Sequence, residues 1–166
     1  GMPDQKLNFH ENVSYEPTDL EVPAIDLEKS FAEISQSGDL ADKNPVFKQY
    51  DHMILCGTAR KPSIGAAVVK VPNSESEKYV ALSGGCMQFF VYLDAFNGSA
   101  ANICKFATDL IVEGAKPLAI TDCLNFGNPK KPEILTQFKL ACEGMAEAGV
   151  KLDIPVISGN VSLYNE

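Results

Sequence analysis

The segment Pro117–Pro129 (Pro-Leu-Ala-Ile-Thr-Asp-Cys-Leu-Asn-Phe-Gly-Asn-Pro) constrains this chain more than any other. Four of the five residues after Lys116 are apolar, and Ile120 and Thr121 are β-branched, so the segment opens as a buried strand. The strand stops on Asp122 and breaks into Asn125–Pro129, whose residue types favour turns. Asp122 is therefore expected at the carboxyl end of a sheet strand, facing the crevice where α/β proteins bind ligands. Ile154–Ser158 repeats the design, a short apolar strand running into Gly159–Asn160–Val161–Ser162. Two strand ends that each deliver small polar groups read as one site.

The rest of the composition narrows what that site can serve. A chain of 166 residues holds one domain, or one domain with a tail, and is long enough to build a proper core. The net charge of -8 argues against nucleic acid as partner, because a phosphate backbone requires a basic face. No apolar run approaches the ~20 residues of a membrane helix, and no signal segment opens the chain, so no membrane is expected. Five scattered cysteines without a Cys-x-x-Cys pair fit a reducing cytoplasm and thiols used as small packing residues. Gly1 before Met2 reads as a cleavage scar.

Residues 1–45 read as a linker with one short helix, and residues 46–166 as the compact domain. Within the linker, Asp26 is expected to cap a helix over Leu27–Ser35 that stops by Gly38. Gln49–Cys56, Ile64–Val71 and Lys78–Ser83 read as strands, with Gly57–Ser63 a loop and His52 packed inside the first. Cys86–Leu93 fits neither strand nor loop clearly. A helix opens at Gly98 or Ser99 and runs to Glu113, with Ala100, Ile103, Cys104, Ala107, Leu110 and Ile111 on its apolar face and Gly114 closing it. A second helix runs from Glu133 to about Val150, with Ile134, Phe138, Ala141, Met145 and Ala148 in one stripe and Glu143 and Glu147 on the wet side. Strands followed by helix–strand–helix–strand make an α+β fold, one mixed or antiparallel sheet with helices on one face.

Each chemical candidate has a plain alternative. Asp122 can hold Mg²⁺ or accept from a nucleotide, or it can cap the turn that follows. In Gly159–Ser162, glycine permits close backbone approach, the Asn160 amide offers a hard oxygen, and Ser162 offers a hydroxyl; the same residues also make ordinary turns. Gly84–Gly85 belongs to neither common nucleotide fingerprint and reads as a bend. Lys130 and Lys131 suit a phosphate or simply solvent, and Cys123 reads as a loop or core thiol. Phe89, Phe90, Tyr92 and Phe96 read as core or interface.

Lys116–Pro132 (KPLAITDCLNFGNPKKP) and Pro155–Glu166 (PVISGNVSLYNE), supported by Phe47–Met53 and Val91–Asp94, resemble the large subunit of the phosphoribosylformylglycinamidine synthase family. The resemblance runs from about Ala24 to Glu166. It implies a domain like the N-terminal domain of aminoimidazole ribonucleotide synthetase, the second such domain of a two-repeat enzyme, here a fragment without the principal catalytic residues. It also implies an ATP- and glutamine-dependent ligase of purine biosynthesis with ATP and Mg²⁺ as cofactors. The partners it implies are the remaining synthase domains, a glutaminase domain or subunit, and formylglycinamide ribonucleotide. By motif, Asp122 and Gly159 match ATP contacts, Asn160 a Mg²⁺ ligand, and Ser162 a contact to formylglycinamide ribonucleotide. Two acidic positions of the family stand here as Gly65 and Gly85, and an arginine as Phe89, so a second nucleotide site built on them is expected to be lost. A domain made to meet a sister repeat is expected to leave an apolar sheet face bare, with a homodimer as one consequence.

Overall fold

The computed structural model describes residues 24–51, 53–60 and 65–165. The linker over residues 1–23, the packing of His52 and the Lys61–Ile64 part of the expected loop and second strand lie outside them. Helix α1 (Leu27–Ser35) starts where expected, Asp26 Oδ1 accepting from Lys29 N–H at 3.1 Å. It ends at Ser35, short of Gly38, and its stripe of Leu27, Phe31 and Ile34 is exposed. One turn of helix, α2 (Asn44–Phe47), follows.

Gln49–Cys56 does not form the expected strand. Only Ile54 in that stretch is β-branched, and Ile54–Cys56 closes instead into a 3₁₀ turn with Leu55 and Cys56 at φ 58° and 52°. The strand lies just beyond, in the segment expected as loop: β1 (Thr58–Arg60) pairs antiparallel with β2 (Ala67–Lys70), which pairs with β3 (Tyr79–Leu82). The β2–β3 register, Ala67 opposite Leu82 through Lys70 opposite Tyr79, fixes the faces of this sheet. Arg60, Val68, Ala81 and then Ser83 share the face toward the helices. Arg60 pairs with Glu113 at 2.5 Å, and Ser83 Oγ donates to Asp109 Oδ2 at 3.3 Å. Ala67, Val69, Val80 and Leu82 lie on the other face, where Val80 and Leu82 are exposed.

The uncertain Cys86–Leu93 stretch becomes a short helix, α3 (Gln88–Leu93), with Met87 N–H donating to Asn102 Oδ1 at 2.7 Å. Phe89, Phe90 and Tyr92 are exposed rather than core. Helix α4 (Ala95–Val112) opens earlier than expected because Asp94 caps it, Oδ1 accepting from Asn97 N–H at 2.9 Å. Gly98 and Ser99 serve packing: a β-carbon on Gly98 would overlap the Phe90 backbone, and Ser99 is buried. Ala107 is buried as expected, whereas Cys104 and Ile111 are exposed. Helix α5 (Pro132–Leu152) buries Ala141 and Ala148 and exposes Glu143 and Glu147, as its stripe predicts. It crosses α4 so closely that a β-carbon on Gly144 would overlap the Phe96 carbonyl. Before and after α5 lie β4 (Ile120–Asn125) and β5 (Val156–Ser162), a parallel pair. The expected single sheet is therefore two, one of three antiparallel strands and one of two parallel strands, within the α+β class.

Candidate functional site

The β4–α5–β5 unit carries every residue singled out by the two motifs. Its parallel register sets Thr121 beside Ser158, Asp122 beside Gly159, Cys123 beside Asn160, Leu124 beside Val161 and Asn125 beside Ser162. Side chains alternate across a strand, so neighbours in this register fall into two rows on opposite faces.

One row faces helix α5. Ile120, Asp122 and Leu124 are half-buried there, and Ile120 Cδ1 lies 3.9 Å from where a β-carbon on Gly149 of α5 would stand. A β-carbon on Gly159 would overlap the Asp122 carboxylate. The carboxylate also faces Cys142 of α5: burial first, then the charges of Asp122 and Glu143, hold that thiol's pKa above its ordinary value. Gly159 thus does allow a close approach, and the group that approaches is the neighbouring strand's own carboxylate.

The other row is bare. Thr121, Cys123 and Asn125 of β4 are exposed, as are Ser158 and Asn160 of β5, and Ser162 is half-buried. Asn125 Nδ2 donates along its own strand to the Cys123 carbonyl at 3.1 Å and lies 3.4 Å from Cys123 Sγ. Beyond the strands, Phe126 N–H donates to the Ser162 carbonyl at 3.0 Å, and Tyr164 N–H to Gly127 at 3.1 Å. Asn165 Nδ2 donates to the Ser162 carbonyl at 2.9 Å. The loop after β4 and the chain after β5 are laced together, and this fixes the Asn125–Ser162 end of the row.

Three expectations change here. Asp122 is the third of six residues in β4, not its end, because the strand continues through Cys123–Asn125 by pairing with β5. Gly159–Ser162 is strand, not turn, for the same reason. Asp122 and Asn160 do not line one cup: with Cys123 opposite Asn160, the Asp122 carboxylate and the Asn160 amide belong to opposite rows. Ser162 does join Asn160. Capping of the following turn falls to Asn128, whose Oδ1 accepts from Lys130 N–H at 2.9 Å, rather than to Asp122. Cys123 and Asn125 were legible as partners of Asn160 and Ser162 only by counting in twos from Thr121, which a strand ending at Asp122 forbids. Among the described residues no group of three or more His, Cys, Asp or Glu could hold a metal ion.

The two glycines expected to replace acidic residues differ in their surroundings, crowded at Gly85 and open at Gly65. Gly85 lies under the Phe106 ring, 2.8 Å from where its β-carbon would stand, and Gly65, at φ 108°, lies beside Glu113.

Residues 65–166 match the family described as AIR synthase related protein, N-terminal domain. The chain belongs to this family. Over 144 residues it is 43% identical to the phosphoribosylformylglycinamidine synthase subunit PurL of Thermoanaerobacter pseudethanolicus, covering 87% of this chain and 19% of that protein. The Aquifex aeolicus subunit is 43% identical over 151 residues, 88% of this chain and 20% of that protein. Among solved structures, PurLQS from Thermotoga maritima superposes with a TM-score of 0.67 at 28% identity, covering 76% of this chain and 21% of that one. T. maritima PurL complexed with FGAR superposes at 0.59 with 30% identity, over 75% of this chain and 20% of that one. The chain thus spans about a fifth of the length of these relatives. This AIR synthase-related domain keeps the family's helix and strand mixture, and among its described residues no helix is long and apolar enough to cross a membrane.

Proposed function

We propose that this domain works as part of a phosphoribosylformylglycinamidine synthase, where the bare row of β4–β5 meets the magnesium–nucleotide and the ribonucleotide substrate. The reaction is the ATP-dependent conversion of the formylglycinamide ribonucleotide amide to an amidine. ATP phosphorylates the amide oxygen, and ammonia released from glutamine by a glutaminase domain or subunit displaces the phosphate. The remaining synthase domains supply the catalytic residues, and this domain alone is inactive.

The observation that carries the reading is the row itself, in which Asn160 and Ser162 stand on one strand face, the Ser162 end tied to the loop after β4 by the Phe126, Tyr164 and Asn165 hydrogen bonds. Apart from the Cys123 thiol, its ligating groups are neutral oxygens. That set suits a magnesium ion that brings phosphate oxygens with it and does not suit a dedicated protein cage. Asn160 would be the protein's ligand to such an ion, whose chemistry is to neutralise charge on the transferring phosphates. Ser162, two residues along the same row, would hold the ribonucleotide. Asp122 and Gly159, the ATP contacts by motif, stand in the opposite row, so in this reading they hold the strand pair together beneath the row that meets the nucleotide.

The bare apolar face of β2–β3 favours a second reading, in which the domain only packs against its sister repeat. Substitution in the full-length synthase separates the two. Asn160→Ala and Ser162→Ala abolish or greatly weaken amidine formation if the row binds ligands. Unchanged turnover in both, with the protein folded, supports the scaffold.

A further inference from the structure

Asn125 belongs to the same bare row, beside Ser162 in the register, yet neither motif reading gives it a role. Its environment restricts what it can recognise. Both contacts of its Nδ2 return to Cys123, one to the carbonyl and one to the thiol, so the donor half of the amide is occupied by its own strand. The acceptor half, Oδ1, has no hydrogen-bond partner among the described residues. A half-engaged carboxamide of this kind offers an oxygen to an N–H or O–H group and has nothing to offer a phosphate, whose oxygens are acceptors too.

Its position is also fixed. Asn125 is the last residue of β4. The next amide, that of Phe126, donates to the Ser162 carbonyl, which also accepts from Asn165 Nδ2. Asn125 and Ser162 are therefore tied together through the backbone and stand as neighbours on one face of adjacent strands.

We propose that Asn125 is a further substrate-binding residue, its side-chain oxygen accepting from an amide N–H or hydroxyl of the ribonucleotide held by Ser162. The inference rests on the reading of the bare row given above. It adds an orientation: the amide- or hydroxyl-bearing part of the substrate lies at the Asn125 end, and the substrate's own phosphate lies elsewhere.

The test is equilibrium binding by calorimetry to the full-length synthase, with formylglycinamide ribonucleotide and ATP titrated separately. Asn125→Ala is expected to weaken ribonucleotide binding about three- to ten-fold, the worth of one net hydrogen bond, with ATP affinity held within about two-fold. Asn125→Asp keeps an acceptor oxygen in the same place and is expected to retain most of the affinity that the alanine variant loses. It also serves as the second variant should Asn125→Ala fail to fold. Equal losses for ATP and ribonucleotide, or equal losses in the alanine and aspartate variants, overturn the proposal. If Asn125→Ala binds the ribonucleotide normally while Ser162→Ala does not, the proposal fails and the bare-row reading stands. If neither substitution matters, both fail.

Discussion

The carboxylate of Asp122 fills the space that a side chain at Gly159 would need. The two residues are register partners on adjacent parallel strands, on the face toward α5. Glycine at 159 is thus required by packing, whatever ligand role the position also has. Gly159→Ala is expected to destabilise the domain by about 1 kcal/mol, the low end for overpacking, because Gly159 is exposed and the half-buried Asp122 side chain can give way. Removing the obstacle should recover part of that loss. The midpoint of denaturant unfolding for Gly159→Ala, Asp122→Ala and the double variant checks this, and additive losses would mean that the two side chains do not compete for one space.

Cys142 supplies a pH-dependent readout of the same face. Its thiol is held neutral by burial first and by the Asp122 and Glu143 charges next, so its folded pKa stands above the unfolded one. The folded state then keeps a proton that the unfolded state gives up. The stability this contributes is full below the ordinary thiol range and is lost as pH climbs through that range to the raised value. Wild type should therefore lose thermal stability on alkalinisation more steeply than Cys142→Ala. Asp122→Asn should move the loss of protons at Cys142 to lower pH, as measured by iodoacetamide labelling rates.

Local signals sufficed wherever one strip of residues decided the outcome: Asp26 ahead of α1, and the Ala141–Ala148 stripe and Glu143–Glu147 edge of α5. They failed where a distant partner decided it. Asp94 and the Gly98–Ser99 pair offer competing helix starts, and the close approach of the Phe90 backbone over Gly98 is what makes the later pair a packing surface. Thr58–Arg60 is strand because β2 lies beside it, not because three residues prefer to be extended. The candidate site divided in the same way. Its residues were visible in the two motifs, but their division into opposite rows depends on a register that only the β4–β5 pairing sets.

The two bare sheet faces differ in kind, and this predicts which one binds another domain. Thr121, Cys123, Asn125, Ser158, Asn160 and Ser162 make the β4–β5 face polar, whereas Ala67, Val69, Val80 and Leu82 make the β2–β3 face apolar. Val80 and Leu82 are 45% and 59% exposed, an apolar surface suited to a sister domain or a second copy. Sedimentation velocity on the chain should show concentration-dependent self-association that Leu82→Lys or Val80→Lys removes. The same experiment on Asn125→Lys, in the polar row, should leave association unchanged.

Glu113 ties the end of α4 to β1. Its side chain is only 9% exposed at the end of α4, and the Arg60 guanidinium reaches it at 2.5 Å from the first strand of the other sheet. Arg60 itself is largely exposed, so the Coulomb attraction of the pair is screened and contributes little alone. The cost of breaking the pair comes from the other partner: Arg60→Met leaves a nearly buried carboxylate without its donor. About 1–3 kcal/mol of destabilisation is expected from that unmet desolvation. Replacing both, Arg60→Met with Glu113→Leu, removes the stranded charge and should restore most of the unfolding midpoint. If the single Arg60 variant is as stable as wild type, β1 does not depend on α4 for its place, and the sheet is held by its hairpin pairing and the Ser83–Asp109 hydrogen bond instead.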